Sequence, residues 1–306
     1  MSPSSTPPPV ETVTAVVCTR NRPDDLERTL RSIAWQETPC SEVLVIDDSD
    51  PDGRERTRCI AASVDAPVEV LTKETPGLTA SRNLAIERTA GDLTMFLDDD
   101  IVLRPDYVTE MVAAFRADPE LVGAGGSVDD DHPYGWQWLR AALMVPGRAT
   151  GQVYPSGWST QLPRGGRSGP VQHLIGCNMV YRTEVLRRYR FDERFHGYGL
   201  GEDLEFSHRL HLDGHRLTCV GAARLWHVTA PANHDRAWGY REMVIRPMVA
   251  GRRFRRSAFL VAALTFLTTN LARNRERAAG NWLGIGDVLR GRPPRDLQTV
   301  RKEAAT

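Results

Sequence analysis

The chain carries neither of the two common phosphate-binding loops. No GxxxxGK(S/T) run occurs, and the first predicted strand leads into Cys18-Thr19-Arg20-Asn21-Arg22-Pro23 where a dinucleotide-binding enzyme would have GxGxxG. Both absences exclude the corresponding nucleotide-binding classes. Cysteine is sparse and scattered: five residues (Cys18, Cys40, Cys59, Cys177 and Cys219), with no CxxC pair. That is neither a zinc pattern nor a disulfide framework, and it predicts a reducing compartment and mostly buried, inert thiols. Net charge is missing too, since 39 Lys and Arg balance 39 Asp and Glu. Without a basic excess, a nucleic-acid partner is not expected. No stretch approaches the roughly 18 consecutive apolar residues of a membrane-spanning helix. The segment from Met1 to Val10, MSPSSTPPPV, lacks the apolar centre of a signal peptide. Its Pro and Ser content predicts a disordered lead over residues 1–10.

What is present is enough for a full α/β core. The chain has 306 residues, 41% apolar and 25% charged, ordinary values for a globular protein of this size. Short apolar runs at 13–18, 42–46, 68–71, 93–97 and 121–126 read as strands. They alternate with helical patterns at 24–35, 54–62, 79–89 and 105–116, the first placing Leu26, Leu30 and Ile33 on one face after Pro23. Such alternation predicts a mostly parallel sheet flanked by helices, whose strands are buried on both faces. The pattern dissolves from Ser127 to Pro170, a stretch rich in Gly, Pro and Arg that contains Trp136, Trp138 and Trp158. Each of these tryptophans either packs in a core or stacks on a ligand. A strand at 171–181, a helix at 202–212 and a strand at 217–220 follow, and beyond His227 the pattern is helical and basic.

The chemistry is concentrated where strands end, the edge at which open α/β sheets bind ligands. Asp98, Asp99 and Asp100 follow an apolar strand directly. Three adjacent carboxylates repel one another unless a cation or solvent offsets them, and a hard divalent ion is their natural partner. Asp47 and Asp48 end an earlier strand in the same way. Asp48, Asp50, Asp52 and Gly53 also imitate the first half of an EF-hand loop, but the position of its closing glutamate holds Cys59. The loop from Thr75 to Asn83 contains Pro76 and Gly77 and enters a helix carrying Arg82, an arrangement suited to phosphate. Glu202 and Asp203 open a helix after a Gly-rich run, where a carboxylate serves either as a general base or as an acidic helix start.

Taken in order, these segments resemble glycosyltransferase family 2, the inverting enzymes of GT-A fold. The resemblance runs from about Val13 to His227. Val16 to Arg22 resembles the family's opening strand and nucleotide-binding turn, and Leu44 to Ser49 its base-binding acidic motif. Pro76-Gly77 through Arg82-Asn83 resembles the loop before the DxD strand. Phe96 to Asp100 followed by Pro105 resembles the DxD motif. Phe191 to Phe195 with Glu202-Asp203 and Arg209 resembles the acceptor-side segment with its catalytic Glu-Asp motif.

The resemblance implies a Rossmann-like GT-A domain over 11–235. Its nucleotide-binding half would span about 11–126 and its acceptor-binding half about 127–235, with a helical C-terminal extension at 236–306. It implies transfer of a sugar from a UDP- or dTDP-linked donor to an acceptor hydroxyl, with a glycan or lipid-linked acceptor. Thr19, Arg20, Asn21, Asp47 or Asp48, Arg82, Asn83, Asp98 and Asp99 would bind the nucleotide sugar. Asp100, His227 and Asp98 would hold Mg or Mn, and Asp203, with Glu202 beside it, would be the base. Rival readings are a sugar nucleotidyltransferase, whose Gly-rich basic opening loop is absent, and a non-catalytic carbohydrate-binding protein. In the extension, Arg241, Arg246, Arg252, Arg253, Arg255 and Arg256 precede the apolar run from Ala258 to Leu267. That segment either contacts an anionic membrane from the cytoplasmic side or packs as a surface helix with its arginines in solvent.

Overall fold

The computed structural model describes residues 12–74, 76–129, 150–195, 199–228 and 235–302. The chain divides into two compact units, Met1–Asp131 with Leu162–Thr229, and His132–Gln161 with Ala230–Thr306.

The first unit is built on one nine-stranded sheet: β1 (Val13–Thr19), β2 (Glu42–Asp47), β3 (Val68–Thr72), β4 (Leu93–Asp98), β5 (Ile101–Leu103), β6 (Leu121–Asp129), β7 (Gly169–Val171), β8 (Asn178–Arg182) and β9 (Arg216–His227). The order is β3-β2-β1-β4-β8-β6-β9-β5, with β7 pairing β9 off this path. The β3-β2-β1-β4 half is parallel. In the other half β8 runs antiparallel to both β4 and β6, while β6 and β9 are parallel. Among the described residues, six helices accompany the sheet: α1 (Pro23–Ala34), α2 (Pro51–Ser63), α3 (Leu78–Arg88), α4 (Tyr107–Ala117), the short α5 (Thr183–Leu186) and α6 (Glu202–Leu212).

The strands read as continuous apolar runs because both sheet faces are covered. Val17, Val45 and Leu97 face one core with Leu26, Leu30 and Ile33 of α1 and Met111 and Phe115 of α4. Their neighbours Val16, Leu44, Ile46 and Phe96 face the other, with Ala85 and Ile86 of α3 and Phe206 and Leu210 of α6. This is the period-two alternation of a strand with apolar side chains on both sides. Register then fixes where the chemistry lies. Thr19 pairs with Asp47 across β1–β2, and Cys18 pairs with Asp98 across β1–β4. Both acidic clusters therefore emerge at the same carboxyl-terminal sheet edge.

Three elements differ from expectation. The single strand expected at 171–181 is two, β7 and β8, joined by a segment whose backbone turns into the site. β5 was not anticipated: immediately after the triple aspartate the chain pairs antiparallel with β9, Ile101 opposite His227. β9 is far longer than 217–220, because it continues past a register shift near Gly126 to deliver His227. The EF-hand imitation is dissolved by α2, since Asp50 caps that helix by accepting from Gly53 N at 2.9 Å.

The second unit contains α7 (Arg236–Val244), α8 (Arg246–Ala250), a 3-10 turn (Gly251–Arg253), α9 (Arg256–Arg273), α10 (Arg275–Arg290) and α11 (Leu297–Lys302). It has its own core, in which Trp158 joins Tyr240, Met243, Phe259 and Leu267. Trp158 lies 5.2 Å from Phe266 and 4.6 Å from the Arg246 guanidinium, so it packs within this core. Trp136 and Trp138 lie outside the described residues. α7 and α10 meet through glycine: a Cβ on Gly239 or Gly280 would stand 2.0 Å from a backbone carbonyl of the facing helix.

Candidate active site

At the sheet edge lies a cleft of about 560 Å³, lined by residues from the ends of β1, β2, β4 and β9, the starts of α3 and α6, and the backbone of 175–177. It brings together Thr19, Arg20, Asp48, Arg82, Asp98, Asp99, Asp100, Glu202, Asp203 and His227 from the sequence-predicted set.

Three predicted residues are not in the lining, and each has a local structural role. Asp47 is fully buried, and its Oδ1 accepts from Ser49 N at 2.8 Å, so of the two aspartates it is Asp48 that faces the cleft. Asn21, at φ 55°, donates its backbone N–H to Ser49 Oγ (2.8 Å) and accepts from Asp50 N (3.0 Å), tying the β1 turn to the β2 turn. Asn83 accepts from Phe191 N (2.9 Å) and donates to Phe191 O (3.0 Å), clipping the 191 segment onto α3.

The triple aspartate divides its work by direction. Asp99 turns inward, accepting from Thr19 Oγ1 (2.8 Å) and from Arg22 Nη1 (2.8 Å). Burial pushes its pKa up to about 7, against the pull of Thr19 and Arg22. Asp100 accepts from Arg22 Nη2 at 3.0 Å through one oxygen, and His227 Nε2 lies 3.0 Å from the other. Burial alone would raise Asp100, but His227 and Arg22 outweigh it and hold the carboxyl below its ordinary value. Burial likewise opposes the charged imidazole of His227, yet its hydrogen bond and attraction to Asp100 raise its pKa. Thr29 on α1 braces the backbone that follows, its Oγ1 2.9 Å from Asp99 O and 2.8 Å from Ile101 O.

One ligand atom each from Asp98, Asp100 and His227 can be chosen so that all lie within 4.8 Å of one another. Two carboxylate oxygens and an imidazole nitrogen fit a Mg or Mn ion that keeps further positions for water or phosphate oxygens.

Beside Asp98, Arg82 is only 2% exposed. Such a buried cation must be paired. It donates to Glu202 Oε1 and to Gly176 O (3.2 Å), and Asp98 Oδ1 lies 3.5 Å away. Burial, then the charge of Asp203, pushes Glu202 up to about 8 despite Arg82. Asp203 is less enclosed, and its Oδ2 accepts from Gly176 N at 2.7 Å. Of the acidic pair opening α6, Glu202 thus serves Arg82, and Asp203 is the carboxylate offered to the cleft. At the far end, Asp48 Oδ2 accepts from Gly77 N (2.9 Å) and Ser81 Oγ (3.1 Å), with Lys73 Nζ 3.1 Å from Oδ1.

Sequence reasoning did not assign roles to Arg22, Lys73, Ser81 or the Gly176 backbone. Arg22 and Ser81 carried a signal, the first as part of the Arg20-Asn21-Arg22 turn and the second within the Thr75–Asn83 loop. Lys73 and Gly176 arrive by folding from segments with no recognised motif.

A family model described as "Glycosyl transferase family 2" matches residues 14–190, more than half of the chain. Among curated proteins, glucosyl-dolichyl phosphate glucuronosyltransferase of Haloferax volcanii is 27% identical over 39% of this chain and 39% of its own length. The succinoglycan biosynthesis protein ExoM of Rhizobium meliloti is 25% identical over 78% of this chain and 71% of its own. Validoxylamine A glucosyltransferase of Streptomyces hygroscopicus subsp. jinggangensis is 27% identical over 74% and 57%. The chain thus matches well under two thirds of the first and third of these relatives. Among solved structures, S. aureus TarS aligns at TM-score 0.59 with 18% identity, covering 90% of this chain and 79% of that one. The mannosyltransferase PcManGT of Pyrobaculum calidifontis, in complex with GDP-Man and Mn2+, aligns at TM-score 0.54 with 20% identity, covering 97% and 85%. At such identities these likenesses establish the GT-A fold, and together with the matched family model they place the chain in glycosyl transferase family 2.

Proposed function

We propose that the chain transfers a sugar from a UDP- or dTDP-linked donor to an acceptor hydroxyl with inversion at the anomeric carbon. The observation that carries this reading is one cleft holding a cation-competent Asp98–Asp100–His227 cluster together with a half-buried carboxylate, Asp203. Asp48 at the end of β2 and Thr19 at the end of β1 would bind the base, and Arg82 with the start of α3 would hold the diphosphate end. Asp98, Asp100 and His227 would hold Mg or Mn, which when bound supplies Lewis-acid stabilisation of the diphosphate leaving group. Asp203 takes the proton of the acceptor hydroxyl as its oxygen bonds to the anomeric carbon; the bond from that carbon to the diphosphate oxygen breaks and the nucleoside diphosphate departs. Gly176 N–H orients Asp203, and the Glu202–Arg82 pair keeps the neighbouring carboxylate out of competition for the proton.

The acceptor is a glycan or a lipid-linked saccharide, a reading supported by relatives whose names specify a dolichyl phosphate glycolipid and a succinoglycan. The five unpaired cysteines support work in the reducing cytoplasmic compartment. The test is a calorimetric screen of UDP-, dTDP- and GDP-sugars with and without Mn, followed by NMR of the product anomer. Mn-dependent binding of one uridine or thymidine donor, and a product of opposite anomeric configuration, is expected. A retained configuration, or pyrophosphate release from a nucleoside triphosphate, would overturn the proposal.

A further inference from the structure

Helix α9 presents an outer face that the second unit's core does not use. Phe259, Ala262, Ala263 and Leu267 point inward. On the other side Leu260 is 36% exposed, Val261 67%, Leu264 44% and Leu271 55%. At helical spacing these four share one stripe with Ser257 and Thr268, so the whole outer face is uncharged over most of the helix. Its ends are not. Arg253, Arg255 and Arg256 are exposed at the start, Arg273 and Arg275 at the finish. No acidic residue occurs between Glu242 and Glu276.

We infer that this face of α9 is a docking surface for an anionic lipid bilayer, lying in the plane of the interface. Leucine and valine enter the headgroup boundary, and the terminal arginines engage acidic headgroups. Charge decides the occupant. Arg253, Arg255 and Arg256 crowd the start of the stripe, and a second copy of this segment, which has no acidic residue between Glu242 and Glu276, would offer them no counter-charge. An anionic surface supplies that counter-charge. No helix among the described residues is long and apolar enough to cross a membrane. The inference deepens the lipid-linked-acceptor reading above, but vesicle binding is measured without sugar transfer, so either can fail alone.

The test is flotation of the full chain with phosphatidylcholine vesicles, pure or containing about 30% phosphatidylglycerol, at low and high salt. Binding to the anionic vesicles should exceed binding to neutral ones by about tenfold and weaken with salt. Leu260→Ser with Val261→Ser and Leu264→Ser should abolish it, as should Arg253→Glu with Arg255→Glu and Arg256→Glu. Val261→Asp, at the most exposed position, provides the same reading should the triple variant fold poorly. Equal binding to neutral vesicles, or unchanged binding by Val261→Asp, would overturn the inference. So would a parent chain that ignores vesicles but dimerises through this face, seen by light scattering as a shift to monomer in Val261→Asp.

Discussion

Two adjacent carboxylates at the start of α6 have opposite fates because one is bonded to a buried arginine. Glu202 is enclosed and bonded to Arg82, whereas Asp203 keeps its place in the cleft with one backbone N–H as support. A base must reach the proton it removes, so the loss on neutralising each should differ in kind. Asp203→Asn preserves shape and removes basicity. Turnover should fall about 10²- to 10⁴-fold while donor affinity, read by calorimetry, stays within a small factor. Glu202→Gln leaves Asp203 in place but replaces the carboxyl bonded to a 2% exposed arginine. Its melting temperature should drop and its donor KM rise, with a smaller loss in kcat. A Glu202→Gln enzyme with the greater kcat loss would exchange the two roles. The residue scale is also where the sequence was most informative about position and least about partnership. Strand-end aspartates announced themselves, and the family resemblance already grouped Asp98 and Asp100 with His227, but nothing in a linear reading says that Asp99 turns toward Thr19 or that Arg22 bonds both Asp99 and Asp100.

At the level of elements, the site depends on β9 reaching beyond its regular pairing with β6. The register shifts where Gly126 gives way to Ser127, and there the chains approach closely: a Cβ on Gly126 would lie 2.5 Å from Ala223 O and 2.5 Å from Tyr107 Cε2. Gly126→Ala should therefore destabilise the fold by about 1–3 kcal/mol, measured by denaturant titration; an unperturbed midpoint would show that the strand yields freely. Because β5 pairs with the last residues of β9, Asp100 and His227 meet although far apart in sequence. Mn should then stabilise the chain by about 2.7 kcal/mol at a hundredfold excess over its Kd, raising the melting temperature, with EDTA reversing the effect. His227→Ala and Asp100→Asn should each remove most of that shift, and a full shift in either would move the ion elsewhere. The strands and helices up to residue 126 were legible because burial on both sheet faces writes continuous apolar runs and helical stripes into the sequence. β5 was not, since three residues of edge strand carry no period. The division between β7 and β8 was hidden for the opposite reason: the intervening residues 172–177 include Leu174, Ile175 and Cys177, which are apolar enough to imitate a strand.

For the molecule as a whole, the cleft concentrates buried acids whose protonation must respond to pH. Folding raises Asp99 to about 7 from an ordinary 3.8, and Glu202 to about 8 from 4.5. In the unfolded chain both release their protons near pH 4, so between there and pH 8 the folded state binds more protons and stability falls as pH rises. His227, raised above 6.5 by Asp100, contributes stability at low pH that is likewise lost as pH climbs through its folded pKa. Asp100, held below 3.8, works in the other direction, but its contribution disappears only in acid, outside this window. The shifts of Asp99, Glu202 and His227 therefore all have the same sign between about pH 4.5 and 8. In metal-free buffer the melting temperature should decline from pH 5.5 to pH 8 by at least about 2 °C, and the decline should be shallower in Glu202→Gln even though that variant melts lower throughout. Differential scanning calorimetry at matched ionic strength reads both slopes. A melting temperature that rises across this interval, or a Glu202→Gln slope equal to that of the parent, would mean that these carboxyls are ionised in the folded cleft. The pairing of Arg82 with Glu202 would then be a full ion pair at neutral pH, with no held proton to release.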